Sequence, residues 1–372
     1  MDQNFDKGEV TKTGFLLELL RDPERKSLFR MFYEFVFLYL KYWEYPGHYF
    51  SRYLFKKDKT NILDYYPWKY LYGIKKYFID REVREVLENK LFFDLYYRRF
   101  GIALPEILMF NHRKIFAVGA RIHEVKSAEE FTDLLEDILT SKADSDSVII
   151  KRTYWSYGGA KIYKVYRDQV RKDPVMIRNL YETIIKSGYL FQNVIKQHSQ
   201  LNNLNPSCLN TMRIDTFINP DGKIDVISAY IRMSYKNAYV DNISSGGLLV
   251  GIDIDSGRLK KEGFSNLKDV GVKIFKEHPV TKTVFEGFTI PFFDKAKELV
   301  VEAARLMPGL RLVGWDVAIS EEGPVIVEGN SDYDNTGNDL SEGGFRTNAI
   351  FRKILEEYKI LKKAKKSSEK RP

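Results

Sequence analysis

Two carboxylates and an amide late in the chain have the types and spacing of a hard-metal site. They lie in Arg311-Leu-Val-Gly-Trp-Asp316-Val-Ala-Ile-Ser-Glu-Glu-Gly-Pro-Val-Ile-Val-Glu328-Gly-Asn330, two β-rich runs around a Glu-Glu-Gly turn. A three-residue loop at Glu321-Glu322-Gly323 pairs Ser320 with Pro324 and sets Asp316 opposite Glu328. Opposed strand residues share a face, and Asn330, two positions beyond Glu328, joins them. Adjacent carboxylates repel unless a cation lies between them. With no His or Cys nearby, the three oxygens suit Mg²⁺ or Mn²⁺ shared with phosphate. Taken alone, the pattern also fits the solvated face of an ordinary hairpin.

A second element is Val148-Ile-Ile-Lys151-Arg-Thr-Tyr-Trp-Ser156-Tyr-Gly158-Gly159-Ala160. A strand ending in Lys151 and a loop over Ser156, Gly158 and Gly159 can fold amides over phosphates while the lysine supplies a point charge. A Ser-Tyr-Gly-Gly turn is also common as a plain hairpin. Neither a P-loop nor the kinase motif set occurs. A third cluster runs from Gln192 to His198, with Asn210-Thr211-Met-Arg213 and Arg232 following. Arginines on strands beside a carboxylate face can clamp a phosphate or a substrate carboxylate in a fork, although a lone arginine more commonly forms surface ion pairs.

These residues need strands and tight turns to hold them. The spacing predicts strands at Ser147–Lys151 and Ala160–Val165, a helix over Asp173–Lys186, and hairpins at Asn219-Pro220-Asp221-Gly222, Asp255-Ser256-Gly257 and Glu321 to Pro324. A last helix is expected from Asn348 to about Leu361. The chain of 372 residues, 44% hydrophobic and 30% charged, is long enough for two or three domains of roughly 100–200 residues. Its single cysteine, Cys208, excludes a disulfide scaffold and suits a reducing, cytoplasmic setting. The net charge of +8 is concentrated at the end, where nine Lys/Arg from Arg352 onward face three Glu. Such a tail keeps a protein soluble or brushes an anionic membrane, and nucleic acid is not expected as a partner. Aromatics gather early, 24 of 53 within residues 31–100. Pro23 to Lys41 is apolar on almost every face and reads as a buried helix; a membrane-surface helix is the alternative, disfavoured for want of a clean basic face.

Together these residues resemble the ATP-grasp superfamily, and more closely its sugar-transfer-associated branch. The resemblance runs from about Glu88 to Asn338 and is carried by Asn210-Thr-x-Arg213, Gly246-Gly247, His278-Pro279, and Gly314-Trp-Asp316 through Glu328-Gly-Asn330. It implies an α+β fold of two lobes clasping ATP, with an aromatic-rich helical region before them. The expected divisions are a helical region over 1–88, an N-lobe over 89–200, a C-lobe over 201–355, and a helix end with basic tail over 356–372. It also implies that Asp316, Glu328 and Asn330 are the metal triad, Lys90 and Lys151 the phosphate lysines, and Ser156 to Gly159 the glycine loop. The adenine hinge falls at Gln192, Asn193 and Ile195, and the ribose contact at Gln197.

The expected activity is an ATP- and Mg²⁺-dependent carboxylate–amine ligase working through an acyl phosphate, with Arg213 and Arg232 holding the carboxylate and the transferred phosphoryl group. The resemblance points to a sugar acid or amino acid in surface-polysaccharide modification. A sugar or polyol kinase on the same scaffold is the alternative. A glycosyltransferase, raised by Asp253-Ile-Asp255, is a weaker one, because Asp and Gly there also meet the needs of a turn.

Overall fold

The computed structural model describes residues 12–141, 143–144, 146–154, 162–234, 247–265 and 273–368. The first described elements are α1 (Lys12–Arg21), α2 (Leu28–Tyr42), α3 (His48–Ser51), α4 (Trp68–Lys75), α5 (Glu85–Glu88) and α6 (Lys90–Arg99). An antiparallel six-stranded sheet follows: β1 (Ile107–His112), β2 (Ile115–Val118), β3 (Arg121–Glu124), β4 (Ser147–Arg152), β5 (Ile162–Tyr166) and β6 (Gly188–Asn193), in the order β3-β2-β1-β6-β4-β5. Helices α7 (Ala128–Ser141), α8 (Arg167–Lys172) and α9 (Pro174–Ile184) accompany it. Asp173 caps α9 by accepting from the Met176 amide at 2.9 Å, and Pro174 opens the helix where no amide partner is needed.

After α10 (Ser199–Leu204) comes the second sheet, of seven strands: β7 (Thr211–Ile218), β8 (Ile224–Ser234), β9 (Gly247–Ile252), β10 (Leu259–Ser265), β11 (Ile274–Phe275), β12 (Leu312–Ser320) and β13 (Gly323–Asn330), ordered β11-β10-β9-β8-β7-β12-β13. It is completed by α11 (Phe293–Arg305), α12 (Thr336–Ser341) and α13 (Ala349–Ser368). The hairpin turns fall where predicted, with Gly222 and Gly257 at φ of 84° and 67°, a backbone that favours glycine. Within the second turn Asp253 accepts from the Ser256 amide and hydroxyl at 2.9 and 2.6 Å, so this Asp-x-Asp is turn chemistry.

The core of the second sheet takes in α5 and α6. Leu87, Phe93 and Tyr97 pack with Met212, Ile214 and Trp315, whose indole donates to Thr216 Oγ1 at 2.8 Å. Residues 89–105 therefore lie against the C-lobe sheet, and the N-lobe sheet begins at Ile107. The N-terminal helices also join this half. Tyr49, Tyr53 and Leu38 share a core with Tyr230, Leu249, Phe264 and Leu340.

Two helices differ from expectation. The early apolar helix starts at Leu28, capped by Ser27, and buries only a stripe of Met31, Glu34 and Leu38. The buried-helix reading is thus corrected: a stripe repeating every three to four residues covers one side of a helix, Phe35 packs beside it against Tyr49 and Phe50, and Phe29, Phe32, Tyr33, Phe37 and Tyr39 are exposed. The last helix runs past Leu361 to Ser368, since Lys and Ala are good helix formers even where nothing is buried.

Candidate active site

A row of opposed residues crosses four strands, with Glu328 on β13 beside Asp316 on β12, Arg213 on β7 and Tyr230 on β8. The predicted Asp316–Glu328 pairing is present, reached by another path. The turn holds two residues, so Ser320 pairs with Gly323, and a bulge between Val317 and Asp316 restores the register. The extra residue moved from the turn into the strand.

Asp316 is clamped. Arg213 Nε lies 2.5 Å from Oδ1 and its Nη2 3.2 Å from Oδ2, while Arg232 Nη2 reaches Oδ2 at 3.0 Å. Arg232 also donates to Thr211 Oγ1 at 2.6 Å. Burial alone would raise the Asp316 carboxyl, but the two guanidiniums hold it well below the usual carboxylate range. Asn330 donates its amide to Asp316 Oδ2 across 3.4 Å and retains a carbonyl oxygen of the right type for a metal. Glu328 pairs with Lys90 Nζ at 3.2 Å.

Lys90 is the first residue of α6, whose N-cap, Asn89, accepts from the Leu91 amide at 3.0 Å. Its own amide donates to Thr153 O at 2.8 Å, and Asn89 bridges Tyr154 just beyond β4. One turn of helix thus ties the end of the Lys151 strand to the Glu328 strand. Lys151 itself pairs with Ile162 and Leu190 inside the first sheet.

Behind the arginines is a buried wall that the sequence reading missed. Tyr333 donates to Asp215 Oδ2 at 2.7 Å, and its ring lies 5.0 Å from the Arg213 guanidinium and 4.1 Å from Lys75 Nζ, which donates to the Tyr333 carbonyl. Burial pushes the Asp215 carboxyl up to about 7 and the Lys75 amine down to about 8. Asp215 had a legible signal, two residues from Arg213 on one strand and so on the same face. Lys75 had none, being 258 residues from Tyr333.

The predicted hinge lies on and just past β6. Gln192 is buried between Ile107 and Ile149, and Ile195 is half-buried. The Asn193 side chain donates to Glu106 and Asp144 at 2.8 and 3.0 Å. Gln197 accepts from the Asn210 amide at 2.6 Å and donates to Asn202 and Asn205 O, bracing the chain that leads into β7. The glycine loop at Ser156, Gly158 and Gly159 lies outside the described residues. The structure therefore brings Asp316, Glu328, Asn330, Arg213, Arg232 and Lys90 into one cluster, and holds Lys151, Gln192 and Asn193 on the other sheet.

The cluster fits a hard divalent cation by its donors, two carboxylates and an amide oxygen. Among the described residues no three His, Cys, Asp or Glu side chains converge. Three protein cations surround the two carboxylates, so the group carries one surplus positive charge.

Residues 73–349 match the sugar-transfer associated ATP-grasp family, and the chain belongs to that family. The match starts earlier than the Glu88 of the sequence reading and takes in Lys75. The two antiparallel sheets are the lobes of the ATP-grasp fold, which is typical of ATP-dependent ligases. Among solved structures the chain is similar to D-alanyl-alanine synthetase A from Vibrio cholerae, with 14% identity, 73% of this chain and 64% of that chain covered, and a TM-score of 0.42. It is similar to biotin carboxylase from Campylobacter jejuni, at 10%, 74%, 46% and 0.41, and to D-alanine–D-alanine ligase from Bacillus anthracis, at 13%, 75%, 70% and 0.39. It thus spans less than two thirds of the length of the first two. No curated protein matches the sequence.

Proposed function

We propose that the protein is an ATP- and Mg²⁺-dependent carboxylate–amine ligase, acting on a sugar acid or amino acid in surface-polysaccharide modification. The observation that carries this reading is the mixed-charge row, in which two carboxylates and an amide sit among Arg213, Arg232 and Lys90. With a surplus positive charge, such a group favours phosphate oxygens arriving with their cation over a bare cation. Asp316, Glu328 and Asn330 would hold the divalent ion, which when bound would offset the negative charge of the phosphates.

Lys90 and Lys151 face the phosphates as point charges. Asp316 keeps both guanidiniums in fixed positions before substrate arrives, so little reorganisation is needed during transfer. Arg232, with a side chain 14% exposed against 7% for Arg213, is the one that reaches the substrate. The substrate carboxylate oxygen attacks the γ-phosphorus and the bond to ADP breaks. The amine nitrogen then attacks the acyl carbon, phosphate leaves with the bonding pair, and the nitrogen gives up its proton to water.

The test has two parts. ATP or ADP with Mg²⁺ should raise the melting temperature, and Lys151→Ala should remove most of that shift. Carboxylate and amine pairs are then screened with ADP and phosphate followed separately. Equal release of both supports the ligase, and ADP without phosphate assigns a kinase. No thermal shift with any nucleotide refutes both.

A further inference from the structure

Helix α2 is inverted relative to an ordinary surface helix. Its one acid, Glu34, points inward, bound by Lys26 at 2.8 Å, by Arg30 at 2.9 Å and by the Tyr49 hydroxyl at 2.8 Å, while Phe29, Phe32, Tyr33, Phe37 and Tyr39 are exposed. Phe29, Phe32 and the capping Trp43 are 82%, 70% and 80% exposed, and Tyr33 and Leu40 share that side. Helix α1, whose Leu19 shares a core with Met31 and Leu38, likewise exposes Leu16, Leu17 and Leu20. A contiguous apolar surface of this kind marks an interaction site.

We propose that this face seats the protein on an anionic membrane surface. The charge around it supplies the complementarity. Residues 12–76 hold thirteen Lys/Arg against seven Asp/Glu, of which Lys26, Arg52, Lys56, Lys75, Asp22 and Glu34 are buried, and residues 349–368 hold seven against two. Together these segments carry more than the whole chain's +8. They adjoin one another: Tyr42, at the end of α2, lies 6.1 Å from Tyr70, and Tyr70 lies 6.4 Å from Tyr358 on α13, whose Lys362 to Lys366 are exposed. Exposed Trp and Tyr among the apolar residues suit the headgroup level. No described helix is long and apolar enough to cross a membrane, so the contact is interfacial.

Flotation with the full chain tests this, using vesicles of phosphatidylcholine alone and of phosphatidylcholine mixed with phosphatidylglycerol. The protein should float with the mixed vesicles, less so at high salt. The triple variant Phe29→Ser, Phe32→Ser, Leu40→Ser should weaken binding at least about tenfold, since each side chain forfeits its insertion into the interface. These side chains are exposed, so its melting temperature and its ATP-induced shift should match wild type. Absence of flotation at low salt, or equal flotation of the triple variant, overturns the proposal. A dimer in sedimentation equilibrium that the variant dissociates assigns the face to a second copy and overturns it as well.

Discussion

Replacing Asp316 by Asn should cost far more stability than replacing Glu328 by Gln, although both changes remove one carboxylate charge from the same row. The difference lies in what each leaves behind. Asp316 has a side chain 3% exposed and answers two guanidiniums that are 7% and 14% exposed. At about 3 Å and an effective dielectric near 20, each attraction is on the order of 5 kcal/mol before desolvation is subtracted. Removing the shared partner of a buried pair leaves uncompensated charge, at a net loss of about 3–5 kcal/mol. Glu328 and Lys90 are 29% and 18% exposed, and water can solvate Lys90 once its partner is neutral, so the loss there is about 1 kcal/mol. Urea unfolding resolves the two, with an expected midpoint shift of about 1–2 M for Asp316→Asn and a small one for Glu328→Gln. Trp315, fully buried next to Asp316, is a suitable fluorescence reporter beside the exposed Trp43 and Trp68. Both variants should lose ATP turnover. An Asp316→Asn protein within about 1 kcal/mol of wild type would refute the clamp, because buried guanidiniums without a counter-charge are not that cheap.

Three further outcomes are expected. Lys90→Ala should change stability by about 1 kcal/mol or less yet weaken nucleotide binding, read as a smaller ATP-induced melting shift. Gly314→Ala places a Cβ 2.9 Å from Tyr333 Cε1 and 3.0 Å from Arg213 Cδ, so overpacking should cost about 1–3 kcal/mol by urea unfolding and lower turnover through the displaced arginine. Asp215, raised by burial to about 7, binds its proton more tightly folded than unfolded, so its share of stability is present at low pH and lost as pH rises through 7. Asp215→Asn should therefore gain on wild type in urea midpoint between about pH 5 and about pH 8, and a constant difference would show that Asp215 does not titrate there.

What was legible in the sequence was mostly local. The alternation through Asp316, the turn at Gly323 and the matching run to Asn330 placed the triad on one face, because strand periodicity depends on neighbours alone. The bulge was not legible, and the pairing survived only because a shorter turn offset it. The clamp was half visible: Arg213 and Arg232 were picked out as anion binders, but not that Asp316 engages both. Helix α2 was misread because apolar content does not say which face is covered, and the buried face here belongs to Glu34. Lys75 and Arg52 were invisible, since their partners are brought near only by tertiary packing. The role of α6 was hidden for the same reason, its first residue serving the site while its apolar face fills the C-lobe core.

The family match begins at residue 73, but the folding unit does not. Arg52 Nε lies 3.1 Å from Asp339 Oδ2 with both side chains almost wholly enclosed, and Tyr49 and Tyr53 fill a core shared with Leu249 and Leu340. A protein trimmed to the matched stretch would keep Asp316, Glu328, Asn330, Arg213 and Arg232, yet would leave Asp339 without its arginine partner and uncover one side of the second sheet. The edge of the family match and the edge of the folded core thus differ in this chain, and the helices before residue 73 belong to the scaffold of the second sheet.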